Sequence, residues 1–331
     1  MGLKLIVLGF VVVFGAYFTH FLLQPDLSPV EFPKNGYFGP GNPKPDDPTI
    51  SPFKINVSDE LLDDLKNRLK NTRIGHEQLE DVPDFTYDVQ DFTYGFNLKT
   101  LEKFKTYWLE KYDWRKAEQQ LNNFPQFMTQ IEGLKIHFIH AKPAKKYSKV
   151  IPLLMVHGWP GNVYEFYKII PMLTNPNSFL DEKVDFAFEV IAPSIPGYGW
   201  SEASHKAGLD QIATARIFNK LMTDRLKFKK YMVQGGDWGS LVVSNIGRMY
   251  PENIYGVHVN MAFDMSTKGF ILQMIGSYFP SLVFKDKESA TFSMKNFLFE
   301  FIKEGGYMHI QATKPDTVGV GLNDSPIGLM T

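Results

Sequence analysis

The chain has 331 residues, 44% hydrophobic and 21% charged, with a net charge of −1. That is enough for one large α/β domain plus an appendage, and it lacks the basic surplus that a nucleic-acid partner requires. There is no cysteine, which excludes disulfides, cysteine-based metal sites and a cysteine nucleophile but fixes no compartment.

From Leu5 to Leu23 the only strongly polar residue is His20. Residues 5–23 are therefore just long enough to span a bilayer. A cleaved signal peptide would need a small-x-small site after the run, and Phe21 to Pro25 offers none. The expectation is an uncleaved membrane anchor over residues 1–23, with Lys4 and Lys34 on opposite sides and hence no clear orientation. Residues 24–125 read as an N-terminal arm and helical region. Eight prolines between Pro25 and Pro52 forbid a helix or a central strand there. Phe32, Tyr37 and Phe38 suggest an arm that packs on something. Ser58 suits the N-cap of a helix to Asn71, with Leu61, Leu62, Leu65 and Leu69 as its apolar stripe. Further helices are predicted from about Asn97 to Tyr112 and from Trp114 to Leu121.

Residues 126–262 carry the pattern of an α/β core. Two strands flank Glu132-Gly133; His137 and His140 in the second have no carboxylate at metal-ligand spacing beside them. Val150–Val156 is an apolar run of the kind buried on both faces of a parallel sheet, followed directly by His157-Gly158-Trp159-Pro160-Gly161. Phe186–Ala192 is a similar strand, Leu209–Leu226 an amphipathic helix, and Tyr255–Met261 a further strand. Strands alternating with helices at this spacing predict a parallel sheet. Residues 263–331 are rich in Phe, Met and Tyr and read as a partial, helical lid.

The most informative stretch runs from Tyr231 to Ser240. A short strand passes into Gly235-x-Asp237-x-Gly239, the spacing of a nucleophile elbow, a strand-to-helix turn that lifts one side chain out of the sheet. Serine is usual at its centre. An aspartate there attacks saturated carbon and forms an ester, which water can cleave, whereas serine would leave an ether. The expected electrophile is an epoxide or an alkyl halide. His157-Gly-Trp-Pro160 stands where α/β-hydrolases build the other half of an oxyanion hole, from the backbone N–H groups of Trp159 and Trp238. His157, upstream of the nucleophile, reads as structural.

Together these residues resemble the microsomal epoxide hydrolase family, especially its insect juvenile hormone branch. The resemblance rests on the anchor and arm with Tyr37-Phe-Gly-Pro-Gly41, on Ile136-His-Phe-Ile-His140, on His157-Gly-Trp-Pro-Gly161 and on Pro196-Gly-Tyr-Gly-Trp-Ser201. Gly235-Gly-Asp-Trp-Gly239 and Gly306-Tyr-Met-His-Ile-Gln-Ala-Thr-Lys-Pro-Asp316 complete it. It implies an α/β-hydrolase fold with a helical lid, no cofactor, and a large apolar epoxide as substrate. It also implies Asp237 as nucleophile, Tyr307 as one of two lid tyrosines that protonate the epoxide oxygen, and a microsomal, endoplasmic-reticulum membrane through residues 5–23. One departure stands out. Of eight histidines only His258 and His309 follow Asp237, and neither is placed like the family's base. The expectation is a C-terminally shortened member without the last core strands, the charge-relay histidine and its acid. The alternatives are an inactive binding pseudoenzyme and a haloalkane dehalogenase using Trp238 as a halide ligand.

Overall fold

Seven strands form one sheet: β1 (Ser51–Phe53), β2 (Gln126–Ile131), β3 (Leu134–Ala141), β4 (Lys149–Val156), β5 (Phe186–Pro193), β6 (Tyr231–Gly235) and β7 (Ile254–Val259). This is a computed structural model, and it describes residues 13, 15–21, 31–75, 92, 94–262, 264, 266–286 and 289–331. The anchor expected over residues 5–23 lies largely outside them, with residues 15–21 helical. Among the described residues no helix is long and apolar enough to cross a membrane.

The strand order is β1-β2-β3-β5-β4-β6-β7. β4 pairs in parallel with both β5 and β6, and β6 with β7, but β1/β2, β2/β3 and β3/β5 are antiparallel. The sheet is therefore mixed, where the α/β alternation alone predicts parallel pairing. The antiparallel half is built by the tight turn at Glu132-Gly133, where both residues have positive φ. The apolar run of β4 is buried through its second half, as its lack of alternation demands. After β4 the chain goes to β5 on one side and then crosses to β6 on the other. That reversal of direction opens a crevice at the carboxyl ends of β4 and β6.

Two compact units partition the chain. One takes in residues 1–55 and 120–270, the other residues 56–119 and 271–331. The arm thus falls with the sheet, and the N-terminal helices fall with the segment read as a lid. In the second unit Ser58 accepts the Leu61 N–H and opens the helix Asp59–Asn71. Leu69 packs there with Leu101, from the helix Leu98–Glu110, and with Ile327 near the end of the chain. Arg68 donates to the carbonyls of Asn323 and Asp324, the orphan acceptors at the end of the helix Pro315–Asp324. That helix and Pro326–Met330 were not foreseen from sequence. Pro315 and Pro326 sit in their first turns, where proline is compatible with a helix.

In the first unit the arm packs as its aromatics suggest. Phe38 is buried, its N–H donates to the Glu132 carbonyl, and the Asp46 carboxylate accepts the N–H groups of Glu132 and Gly133. The helix expected over Leu209–Leu226 is α-helical only over Gln211–Lys220 and continues as a wider π-type turn through Arg225. It is also not amphipathic in its surroundings: residues 213–219 are all buried. The polar ones have partners. The Asn219 side chain accepts the Tyr231 hydroxyl at 2.8 Å. Arg216 forms a two-bond pair with Glu132 at 2.6 and 2.8 Å and also donates to the Pro33 carbonyl.

Desolvation pushes the Glu132 carboxyl up. The hydrogen bonds and charges of Arg216 and Lys220 outweigh it, so the carboxyl lies below its ordinary value. A carboxyl lowered on folding adds stability above its unfolded value and loses it as pH falls through the folded one. Glu132→Ala strands a buried guanidinium. It should cost about 3–5 kcal/mol in urea unfolding at neutral pH, and the gap to wild type should narrow in acid as the Glu132 carboxyl protonates.

Candidate active site

Val156, the last residue of β4, is in register with Gly235, the last of β6. The loops that follow therefore leave the sheet side by side. After β6 the backbone turns at Asp237, with φ +51° and ψ −126°. That is outside the ordinary allowed regions for a residue with a Cβ and costs about 1–3 kcal/mol wherever it occurs. Trp238–Met249 then forms a helix. The two glycines of the motif are there for space. A Cβ on Gly235 would strike the carbonyl of Gly239, and one on Gly239 would strike the carbonyls of Val156 and His157. The Ser240 hydroxyl, buried, donates to the Gly235 carbonyl at 2.8 Å and ties the helix back to the strand.

The loop after β4 meets this corner. The Trp159 N–H donates to Oδ1 of Asp237 at 2.7 Å. Gly158 permits the approach, because a Cβ there would overlap Cβ and Oδ1 of Asp237. Trp238 is the first helical residue, so its N–H has no acceptor within the helix. Trp159 and Trp238 are both exposed, so neither is a core residue. His157 is structural, as its position suggests. Buried, it donates from Nδ1 to the Gly158 carbonyl at 3.0 Å and accepts the Ile195 N–H at Nε2 at 3.0 Å. Desolvation holds its pKa below the ordinary value, which keeps the ring neutral and the tautomer fixed. His137 is likewise buried. It bonds Ser194 and Gln126, and burial holds it down to about 4.

Two further groups respond to Asp237. Desolvation first, and the Asp237 charge second, push the Tyr198 phenol up; its ring meets His157 edge-on at 5.4 Å. Desolvation first, and the Asp237 charge as well, push the Glu165 carboxyl up. Sequence reasoning passed over Glu165, Tyr198 and Ser240. A readable signal existed for the first, since Asn162-x-x-Glu165 has capping-box spacing. A cleft of about 720 Å³ lies along β4, β6 and β7 and touches Glu165, Gly236 and His258. Its lining does not include Asp237. Among the described residues no cluster of three His, Asp or Glu side chains could hold a metal ion.

Residues 50–166 match the family described as epoxide hydrolase N terminus, and residues 151–317 match the alpha/beta hydrolase fold. Juvenile hormone epoxide hydrolase 1 of Ctenocephalides felis is 42% identical over 99% of this chain and 68% of its own length. Epoxide hydrolase 1 of Sus scrofa is 45% identical over 98% of this chain and 68% of its own. The chain belongs to the epoxide hydrolase family. The crystal structure of juvenile hormone epoxide hydrolase from the silkworm Bombyx mori superposes with a TM-score of 0.81 at 40% identity, covering 90% of this chain and 68% of that one. The α/β-hydrolase fold is thereby established, and the named relatives are epoxide hydrolases.

In this epoxide hydrolase the remaining sequence-derived residues lie on other elements. Tyr307 is half exposed on the helix Gly306–Thr313, in the second compact unit. His309 is exposed on the same helix, and His258 is exposed on β7 opposite Gln234. The close approach at the elbow gives a direct check. Gly239→Ala should destabilise by about 2 kcal/mol or more through backbone overlap. Gly256→Ala, on β7 with open space around its Cβ, should stay within about 0.5 kcal/mol. Thermal or urea unfolding of both variants reads the difference.

Proposed function

We propose that Asp237 opens an epoxide by displacement and that the substrate is a large apolar epoxide of the juvenile hormone or arene-oxide kind. The observation that carries this reading is the bond from the Trp159 N–H to Oδ1 of Asp237 at a corner with φ +51°. It holds one carboxylate oxygen and leaves the other to attack. In that step a C–O bond forms from Asp237 as the ring C–O bond breaks, and the leaving alkoxide takes a proton. Tyr307 is the proposed donor, since a phenol can hydrogen-bond the ring oxygen and then protonate it. Its assignment rests on the motif around it.

The alkyl ester must then add water. The oxyanion that forms on the former carboxylate would be held by the N–H groups of Trp159 and Trp238. Collapse would release the diol and restore Asp237. This second step needs a base. The substrate class is supported by relatives named for juvenile hormone at 42% identity. Residues 5–23 are proposed as the hold on an endoplasmic-reticulum membrane, from their apolar composition.

Incubation with cis-stilbene oxide should add one epoxide mass to the peptide containing Asp237. Asp237→Asn should abolish the adduct, and Tyr307→Phe should slow its formation by about a hundredfold. An adduct elsewhere, or undiminished labelling of Asp237→Asn, would overturn the nucleophile.

A further inference from the structure

After β5 the chain turns back on itself through Gly197 and Gly199, whose φ angles are +88° and +53°. The turn returns Ser201 to Ser194. The Ser201 hydroxyl donates to the Ser194 carbonyl at 2.7 Å and accepts the His137 N–H at 3.0 Å. Ser194 is in turn strapped to β3. Its N–H donates to the His137 carbonyl, and its hydroxyl meets Nδ1 of the His137 ring at 2.9 Å. Ser194, Ser201 and His137 are all buried.

The Ser194 carbonyl shares a peptide plane with the Ile195 N–H, and the two point in opposite directions. Ser201 holds the oxygen, and the N–H donates to Nε2 of His157 at 3.0 Å. With Nε2 accepting, the proton of the neutral ring is on Nδ1, which donates to the Gly158 carbonyl at 3.0 Å. The next plane repeats the arrangement. Its oxygen is the Gly158 carbonyl, and its N–H is that of Trp159, which donates to Oδ1 of Asp237 at 2.7 Å. Hydroxyl, peptide, imidazole, peptide and carboxylate thus form one series, with every donor facing the same way. In buried surroundings such bonds polarise one another, and each strengthens the next. The Ser201 hydroxyl therefore acts on the donor that holds Asp237, although it touches neither.

We propose that Ser201 is a positioning residue for epoxide opening: through the Ser194 peptide, His157 and the Gly158 peptide, its hydroxyl keeps the Trp159 N–H on Oδ1 of Asp237. The proposal rests on the reading of Asp237 as nucleophile. With Oδ1 held, the other carboxylate oxygen is the one presented to the epoxide. Removing the hydroxyl takes the donor from the Ser194 carbonyl and the acceptor from the His137 N–H. The plane that fixes the His157 ring then loses its hold on one side, and the Trp159 peptide is freer to rock.

The test uses the full chain with Ser201→Ala, Ser201→Cys and Ser201→Thr. Cysteine nearly keeps the volume but is a weak donor, and threonine keeps the hydroxyl. One measurement is the rate of Asp237 labelling by cis-stilbene oxide. The other is the backbone amide proton resonance of Trp159, read from chain grown on isotope-labelled tryptophan and assigned by its loss in Trp159→Phe. The chain has five tryptophans, so few signals compete. Trp108 and Trp114, in the other compact unit, serve as internal controls. Ser201→Ala and Ser201→Cys should slow labelling by about fivefold, the worth of one neutral hydrogen bond, with the half-saturating epoxide concentration unchanged. Both should move the Trp159 resonance upfield and leave the controls in place. Ser201→Thr should keep labelling within about twofold of wild type and the resonance unmoved. Should Ser201→Ala not fold, the contrast between Cys and Thr decides. An unmoved Trp159 resonance in Ser201→Ala, or Ser201→Thr labelling as slowly as Ser201→Cys, would overturn the proposal. Absent labelling of the wild type would count against Asp237 as nucleophile, while the Trp159 resonance would still decide the series.

Discussion

One hydrogen bond sets the geometry on which the rest of the corner depends: the Trp159 N–H on Oδ1 of Asp237. A carboxylate that projects from a strained turn can swing about two side-chain bonds, and a single oxygen held by a backbone donor removes most of that freedom. In the proposed reaction the same donor would meet the negative charge developing on the ester carbonyl, with no rearrangement between the two steps. The bond exists because Val156 and Gly235 finish their strands in register. It also needs Gly158, Gly235 and Gly239 to have nothing where a Cβ would be. Remove any of these and the two loops cannot share the space.

The buried charges around Glu132 serve a different end. Glu132, at the turn between β2 and β3, meets Arg216 from the helix Gln211–Lys220 and Lys220 from its last turn. Burying such a group is costly and only a complete set of partners offsets it. The complete set here includes the Pro33 carbonyl from the arm. Arm, hairpin and helix are therefore specified together, and an apolar substitute at one position would leave the others unpaired.

Much of this was legible in the residues. The elbow was readable because its constraint is local: small-x-Asp-x-small after a buried strand leaves few other folds for the segment. The aspartate itself narrowed the chemistry to electrophilic sp³ carbon before any comparison. The run Val150–Val156 and the cap at Ser58 were readable for similar reasons, since each is decided within one turn or one strand. What sequence could not show depends on long-range partners. The burial of Arg216 and Asn219 inside a helix that reads as amphipathic needs Glu132 and Tyr231, both distant in sequence. The antiparallel half of the sheet needs the pairing of β3 with β5, which no pattern within either strand encodes. The helices after Lys314 were obscured by Pro315 and Pro326, which read as breakers until their first-turn positions are seen.

The proline-rich arm carries a consequence for how the chain reaches its fold. Its contacts join residues far apart in sequence: Asp46 to Glu132 over 86 positions, and Pro33 to Arg216 over 183. Contacts that close such long loops form slowly, because their entropy must be spent before they return anything. The arm also has no regular structure of its own between residues 31 and 50, so it has nothing to hold it until the turn and the helix it meets are both in place. Its docking is thus a late event that reports a finished sheet. Synthesis runs the other way, and the arm emerges well before its partners, to wait as an unstructured, aromatic-bearing strand for most of the time the core takes to be made.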